Sequence, residues 1–355
     1  MTSPLGHRSP AALAVTLLSG SDPSAVRRVA GILTGLPDTA LPAELDLPGA
    51  GNAEFAAALA ESLSSEARHG MVGESTVVLD PDADVMEVAL VLEHVLESRQ
   101  QKIPVRIREV VAVTSIDEIL RELCVIGGST LHESDLGSPG RLARRLEFAG
   151  LIVLTDIRAD SAPAETALVV SLLALLSPAA RIVSVPELEV VRPSACPLVR
   201  GRAHRLGASM GWQRQLGDRV AAASALEPVG AYVFRDPRPF HPGRLQQMVS
   251  DRLAPDRVGR IVRSRGFVRL ASRPDRIGEW SSAGDVLDLD PTGMRSWDPE
   301  SPIGQEIAFF GLDLDRRALE AELSGCLLEG DELAAGPTLW ERYVDPFPGW
   351  ATHHH

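Results

Sequence analysis

The stretch VTLLSGSDPSAVRRVAGIL, residues 15–33, decides the fold of the first half of this chain. It begins with an apolar, strand-like run that ends in Ser-Gly, and a helical pattern follows. Apolar runs of the same kind recur downstream and alternate with helical segments, which is typical of βαβ units. The sequence therefore predicts a doubly wound, mostly parallel α/β sheet. Its predicted strands are residues 14–18, 76–79, 105–113, 151–154 and 181–185.

The second half of the chain has a different pattern. Prolines and glycines interrupt residues 191–227, which we interpret as a linker, and a strand–helix–strand–strand–strand–helix pattern follows. That order predicts a smaller α+β domain whose aromatic, proline-rich tail packs back on a domain surface. The predicted domains are residues 10–190 for the α/β domain and 228–350 for the α+β domain, and residues 351–355 form a tail that resembles a tag remnant.

Composition limits the possible functions. The formal net charge of −13 argues against wholesale binding to DNA or to an anionic membrane. No apolar run approaches the ~20 residues that a membrane-spanning helix needs. The chain has 3 cysteines, far apart in sequence, which argues for a reducing compartment and against a disulfide framework. These features predict a cytoplasmic protein.

A phosphate-binding loop is expected after the first strand of such a sheet. On the pattern G-x-x-x-x-G-K-[ST], Gly20 takes the first glycine, Ala25 the second, Val26 the lysine and Arg27 the hydroxyl residue. Pro23 removes one backbone N–H from the loop, and Ala25 adds a Cβ where a phosphate must approach. Val26 cannot neutralise phosphate charge, and Arg27 cannot hold Mg²⁺ as a hydroxyl does. The loop is degenerate, and we predict no bound nucleotide cofactor.

Several motifs of the second half resemble a known family. They are SPAARI at 177–182, RPFHPGRL at 238–245, RSRG at 263–266, LASRPD at 270–275, WSSAG at 280–284 and WERYVDPFPGW at 340–350. In order and spacing they look like the CobW-like P-loop GTPases and their C-terminal domain. The resemblance implies a GTPase-like α/β domain, a CobW C-terminal domain and a role in metal homeostasis, often of zinc. In some similar branches it also implies a zinc-starvation response that acts on ribosomes.

The residues that the family uses for GTP and metal are missing here. The guanine-reading Asn-Lys-x-Asp motif would fall on residues 155–158, which read TDIR, and the only lysine of the chain is Lys102. No cysteine precedes Cys124, so the family's Cys-x-Cys-Cys metal motif is absent. The sequence predicts a non-hydrolysing adaptor protein in zinc homeostasis, without a bound metal. The alternatives are a GTP-dependent zinc metallochaperone with a rebuilt loop and a plain zinc sensor or store.

A basic segment offers a surface for the partner of such an adaptor. Residues 252–276 hold eight arginines against two acidic residues, and Arg263, Arg265 and Arg269 share one face of a strand. With Arg273 and His241, they are the predicted partner-binding residues. That face would take ribosomal RNA phosphate, a hibernation factor or another acidic protein surface. Equally, the arginines could balance the acidic residues of the chain itself.

The remaining histidines and cysteines give weaker signals. His241 precedes a proline at a predicted helix start, and this favours a structural hydrogen bond over acid–base or ligand chemistry. Cys196 and His204 have no second pair at the spacing of a zinc site. Cys124 and Cys326 follow apolar helical patterns and are predicted core residues.

Overall fold

A computed structural model describes residues 12–35, 51–99, 102–124, 130–131, 137–157, 163–217 and 228–350 of the chain. The fold divides into two compact units. The first unit comprises Met1–Ser115, Phe148–Ile157 and Ala179–Ala208, and the second comprises Ile116–Glu147, Arg158–Pro178 and Ser209–His355. The units alternate along the chain, whereas the predicted domains were contiguous. Two segments of the predicted first domain, 116–147 and 158–178, belong to the second unit. The predicted tail, 351–355, lies outside the described residues.

The first unit is built on a five-stranded parallel sheet of order β2-β1-β3-β5-β6. The prediction of a doubly wound parallel sheet is confirmed. The strands are β1 Leu13–Gly20, β2 Gly73–Val78, β3 Val105–Thr114, β5 Leu151–Leu154 and β6 Arg181–Ser184.

Both faces of this sheet are buried. Alternate β1 residues such as Val15 and Leu17 pack against α2 and α3, while Leu18 packs against α1 on the opposite face. A strand covered on both faces needs apolar residues at every position, which explains why β1 reads as a continuous apolar run. The helices of the first unit are α1 Pro23–Thr34, α2 Asn52–Arg68, α3 Val85–Ser98, α7 Val185–Leu188 and α8 Arg202–Ala208, with a 3-10 turn at Pro193–Ala195.

The second unit is built on a six-stranded sheet of order β4-β10-β9-β8-β11-β7. The β4–β10 pair is parallel and the other pairs are antiparallel. Its strands are β4 Thr130–Leu131, β7 Val229–Asp236, β8 Arg260–Val268, β9 Arg276–Ala283, β10 Val286–Arg295 and β11 Gln305–Leu312. The prediction of an α+β domain is confirmed, although two neighbouring strands of the predicted pattern form one strand, β8. Sequence reasoning missed the β9–β10 hairpin.

Helices cover both faces of the second sheet. The core on one face holds Phe240, Leu245 and Met248 with strand residues such as Trp280 and Phe309, and Phe347 of the tail packs into it. The prediction that the tail packs back on a domain is therefore confirmed. Helices α5, α6 and α9 pack on strands of this sheet. The helices of the second unit are α4 Ile116–Leu123, α5 Gly137–Glu147, α6 Pro163–Leu176, α9 Gly211–Gly217, α10 Pro242–Asp251, α11 Pro255–Val258, α12 Arg316–Ser324, α13 Gly330–Ala334 and α14 Pro337–Trp340.

Two further expectations concern membranes and cysteines. Among the described residues, no helix is both long enough and apolar enough to cross a bilayer. Cys124 and Cys326 are buried, which confirms them as core residues, and Cys196 is half-buried.

Candidate functional site

The connection between β1 and α1, where a phosphate-binding loop is expected in such a sheet, is only two residues long. Ser21 and Asp22 join the end of β1 at Gly20 to the start of α1 at Pro23. Asp22 is the N-cap of α1, and its Oδ1 accepts hydrogen bonds from the amides of Ser24 at 2.8 Å and Ala25 at 3.3 Å. These are the free amides with which a helix N-terminus binds an anion. The chain supplies that anion itself.

Asp22 is well suited to this position. Proline is favoured at the first position of a helix, where no partner for its nitrogen is needed, and Pro23 occupies that position. Hydrogen bonds from the side chain and backbone of Ser24 hold the pKa of the Asp22 carboxyl below its usual value. The carboxylate is therefore ionised at neutral pH and compensates the positive end of the helix dipole.

The predicted loop residues do not form a phosphate cradle. Val26, at the lysine position, is buried in the core between α1 and the sheet. A Cβ added at Gly20 would lie 2.6 Å from Cγ2 of Val26 and 2.8 Å from the carbonyl oxygen of Val113. Arg27, at the hydroxyl position, is exposed, and Ala25 is half-buried. The space beside Gly20 is filled by side chain and backbone.

The predicted guanine-reading position lies just after β5. The amide and hydroxyl of Thr155 both donate to the carbonyl oxygen of Thr114, at 2.9 and 3.1 Å. These two hydrogen bonds connect the end of β5 to the end of β3. Arg158, at the base-reading position, lies outside the described residues.

The predicted basic face is not a solvent-facing surface, and this expectation is wrong for Arg263 and Arg265. Arg263 is fully buried, and its Nε and Nη2 donate to the two carboxylate oxygens of Glu147 at 2.7 and 2.9 Å. Arg265 also reaches Glu147, at 3.3 Å, and pairs with Glu279 at 2.8 Å. Arg263 and Arg265 do lie on one face of β8, as predicted. However, α5, which carries Glu147, packs on β9 and β10 and covers that face.

The other six arginines of the basic segment also have partners in the chain. Arg269 donates to the carbonyl of Ile303 at 2.7 Å, and Arg273 pairs with Asp345 at 2.8 Å. The remaining contacts are Arg252 and Arg257 with Glu322, Arg260 with the carbonyl of Cys124, and Arg276 with the carbonyl of Trp350. The interpretation that these arginines balance the chain's own acidic residues holds for five of them, since Arg260, Arg269 and Arg276 donate to backbone carbonyls instead.

His241 has the structural role that its position before Pro242 favours. It is the N-cap of α10, and its Nδ1 accepts a hydrogen bond from the amide of Arg244 at 3.3 Å. Burial, followed by the charge of Arg244, lowers the pKa of His241. The ring is therefore neutral at pH 7, as an accepting Nδ1 requires, and it lies 4.5 Å from the ring of Tyr343.

A second buried acid, which sequence reasoning missed, lies in the first unit. Glu109 on β3 is fully buried and pairs with Arg202 at 2.6 Å and Arg181 at 3.2 Å. The thiol of Cys196 lies 3.1 Å from the same carboxylate. Burial, with a contribution from Glu109, raises the pKa of Cys196, so this thiol is not activated as a nucleophile. The cluster cross-links β3, β6 and α8.

No metal centre is evident in the described part of the chain. No group of three or more His, Cys, Asp or Glu side chains there is arranged to hold a metal ion. Cys196 contacts Glu109 and Arg181, while the His204 side chain is exposed and lies 3.7 Å from Glu93. These two residues do not form a shared ligand set.

The fold and this site define a class: an α/β protein with a five-stranded parallel sheet, a closed β1–α1 connection and a second unit built on a mostly antiparallel sheet. Residues 229–327 match the family described as the cobalamin synthesis protein cobW C-terminal domain. In this part of the second unit the chain therefore resembles a CobW C-terminal domain.

Relatives of the chain carry names that refer to zinc. The chain is 28% identical over 158 residues to the zinc-regulated GTPase metalloprotein activator 1 of Dictyostelium discoideum. This match covers 38% of this chain and 33% of that protein. The chain is 32% identical over 145 residues to a zinc chaperone of Mycobacterium tuberculosis. This match covers 33% of this chain and 34% of that protein. The matches thus span about a third of each relative.

A solved structure with a weak likeness is the Zn(II)-bound YjiA GTPase from E. coli. The match covers 89% of this chain and 99% of that chain, at 13% identity and a TM-score of 0.35. The likeness at this level supports no conclusion about activity.

Proposed function

We propose that this chain is a cytoplasmic, CobW-like protein of zinc homeostasis that binds a partner protein as an adaptor and neither binds nor hydrolyses GTP. The observation that carries the proposal is the Asp22 carboxylate at the N-terminus of α1. The zinc context comes from the family and from the names of the relatives.

Asp22 excludes a phosphate for two reasons. A nucleotide phosphate at this helix would need the amides of Ser24 and Ala25, which already donate to Asp22. The phosphate would also face an ionised carboxylate at contact distance, without a lysine to neutralise either charge. Loss of one preorganised donor typically costs about 3 kcal/mol in a transition state, and here several are missing together.

Restoring the lysine alone would not restore the site. The Val26 side chain points into the core between the sheet and α1, where it is 2% exposed. A lysine there would place its ammonium group in an apolar environment and not at a phosphate. The short connection after Gly20, together with this orientation, differs from a loop that wraps around phosphates.

Calorimetry with GTP, GDP and Mg²⁺ tests the proposal on the full chain. We expect no binding at nucleotide concentrations up to about 1 mM. A Kd of about 1 mM corresponds to a binding free energy of about −4 kcal/mol. Asp22→Ala serves as a matched variant, since it frees the helix amides without adding a cation, and we expect it to remain inactive as well. Micromolar binding by the unaltered chain, or turnover of GTP, would refute the proposal.

The second candidate is a GTP-dependent zinc metallochaperone with a rebuilt nucleotide loop. The observation in its favour is that one relative is named a zinc-regulated GTPase and another a zinc chaperone. Zinc competition with a chromophoric chelator, with and without GTP, distinguishes the candidates. Zinc affinity that changes with GTP supports the metallochaperone, zinc affinity that does not depend on GTP supports the zinc sensor or store, and the absence of zinc affinity supports the adaptor.

The nature of the partner is also a proposal. The engagement of all eight arginines of segment 252–276 within the chain favours a protein partner over RNA phosphate. Co-sedimentation with ribosomes at 50 mM and at 200 mM salt tests the RNA alternative. Protein contacts with phosphate weaken steeply when the salt concentration rises over about this range. Salt-sensitive co-sedimentation would overturn our preference for a protein partner.

A further inference from the structure

An open groove of about 440 Å³ lies between the β8–β9 connection and the C-terminal tail. Ser272 and Arg273 line it from the connection, Arg276 from the start of β9, and Asp345 and Trp350 from the tail. Grooves of this volume are within the range of small-ligand sites. Nothing in the proposed adaptor function uses this groove.

Arg273 has a buried donor without an acceptor. Its Nε donates to Asp345 at 2.8 Å, and its Nη2 donates to the carbonyl oxygens of Phe347 and Pro348 at 3.1 and 2.8 Å. Its guanidinium carbon lies 4.3 Å from the centre of the Trp350 ring. The remaining nitrogen, Nη1, is buried and has no hydrogen-bond partner in the described part of the chain. Because this nitrogen is buried, a ligand in the groove meets the stacked Arg273 and Trp350 side chains and not Nη1 itself.

The charges around the groove leave one cation uncompensated. Arg273 pairs with Asp345, and Asp275 pairs with Arg295 at 2.7 Å. Arg276 donates from Nη1 to the carbonyl of Trp350 at 3.2 Å, and among the described residues it forms no ion pair. Arg276 is therefore a positive charge for which the described residues provide no anion, and its guanidinium has donors in addition to Nη1.

From this geometry we propose that the groove binds a carboxylate group, which accepts from the guanidinium of Arg276 beside the stacked Arg273 and Trp350 side chains. Planar guanidinium groups match carboxylates in geometry and form charge-assisted hydrogen bonds with them. A monoanion fits the single uncompensated charge. A phosphate dianion would experience stronger repulsion from Asp275 and Asp345, and from a chain whose net charge is −13.

The carboxylate could belong to a small organic acid or to an acidic side chain of a protein partner, since both present the same group. The Trp350 indole is a local reporter, because its Nε1–H donates to the carbonyl of Leu289 at 2.9 Å and its ring stacks on Arg273. The chain has 5 tryptophans, so the indole signals of ¹⁵N-labelled full-length protein are few, and a Trp350→Phe sample assigns the relevant one.

The experiment titrates the labelled protein with acetate, with succinate, with a Glu-containing peptide and with inorganic phosphate, at constant ionic strength set with chloride. We expect a saturable shift of the Trp350 indole signal with carboxylates, and weaker binding of phosphate. The stronger binder among the acids and the peptide identifies the source of the carboxylate. A shift no larger than that caused by chloride would overturn the proposal, and tighter binding of phosphate would overturn the choice of carboxylate.

Variants make the test specific to the groove. Arg276→Gln removes one charge-assisted contact and should weaken carboxylate binding roughly tenfold. Arg317→Gln removes the same charge from an exposed position on α12 that does not line the groove, and should leave binding unchanged. Equal affinity of Arg276→Gln and the unaltered protein would overturn the proposal.

Discussion

The carboxylate of Glu147 and the guanidinium of Arg263 form a two-pronged ion pair, with oxygen–nitrogen distances of 2.7 and 2.9 Å. Both side chains are completely excluded from solvent. The third nitrogen of Arg263 donates to the hydroxyl of Ser281 and the carbonyl of Ser282, both at 2.9 Å. The pair therefore fixes α5 on the second sheet with its polar atoms satisfied, which is the condition under which a buried charge is tolerated.

Removal of one partner of this pair should be strongly destabilising. We expect Glu147→Gln or Arg263→Met to lower the free energy of unfolding by about 3–5 kcal/mol, because an uncompensated charge or donor group remains buried. The double variant Glu147→Gln/Arg263→Met should recover much of the loss, since neither charge of the pair is left and Arg265 keeps Glu279 as a partner. Urea unfolding at pH 7 measures the free energy of unfolding of each of the three variants. Losses that simply add in the double variant would contradict this account.

The same pair predicts a pH dependence. Burial alone would raise the pKa of Glu147, but Arg263 and Arg265 outweigh burial and hold the pKa below its usual value of 4.5. A carboxyl with a lowered folded-state pKa stabilises the protein above its unfolded-state pKa, and this contribution is lost as the pH falls through the folded-state pKa. The stability difference between the unaltered protein and Glu147→Gln should therefore shrink below about pH 4.5.

The arginines show what the sequence could not predict. Alternation along β8 correctly placed Arg263 and Arg265 on one face, since the period of a strand is local. Whether that face meets solvent depends on α5, which is more than a hundred residues earlier in the chain. Burial of a charged face requires a long-range partner, and no local pattern reveals Glu147 as that partner.

The parallel sheet and the closed connection were more predictable. Strands buried on both faces are mostly apolar, so β1 and β5 were visible as continuous runs, and β3 was visible through its apolar second half, residues 110–113. Asp22 was missed, although an Asp before a proline and a helical pattern is a sequence signal for an N-cap. The pattern G-x-x-x-x-G-K-[ST] leaves position 22 unspecified, so it does not reveal the residue that takes the place of the anion.

Replacement of Asp22 separates its capping role from its charge. Asp22→Ala should lower the free energy of unfolding by about 1 kcal/mol, while Asp22→Asn, also a good N-cap, should be nearly neutral at pH 7. Because hydrogen bonds lower the pKa of Asp22, its contribution is present above the usual pKa of an aspartate and is lost as the pH falls through its folded-state value. The Asn variant should lack that pH dependence. Thermal unfolding from pH 2.5 to 7 checks both expectations, and an Ala variant as stable as the unaltered protein would contradict the capping role.

Thiol reactivity should follow burial. Burial raises the pKa of Cys326 to about 11, so at pH 8 only about one thiol in a thousand is ionised. Burial also raises the pKa of Cys124. We expect iodoacetamide to modify the half-buried Cys196 first in native protein, and the other two only after unfolding in urea. Mass spectrometry of peptides from samples taken at intervals measures the order, and rapid native labelling of Cys326 would contradict the packing described.

The attachment of the tail can be tested without changing the tail. A Cβ at Gly278 on β9 would lie 2.6 Å from Cζ2 of the Trp350 indole, so Gly278→Ala must displace that ring. The ring would then lose its stacking on Arg273 and its hydrogen bond to Leu289. We expect a loss of about 1–3 kcal/mol in the free energy of unfolding, as for other overpacked sites, and faster amide exchange in residues 340–350. Gly230→Ala on β7 is the matched control, because a Cβ there meets no atom within 4 Å. Unchanged exchange in the tail of Gly278→Ala would show that Trp350 does not hold the tail in place.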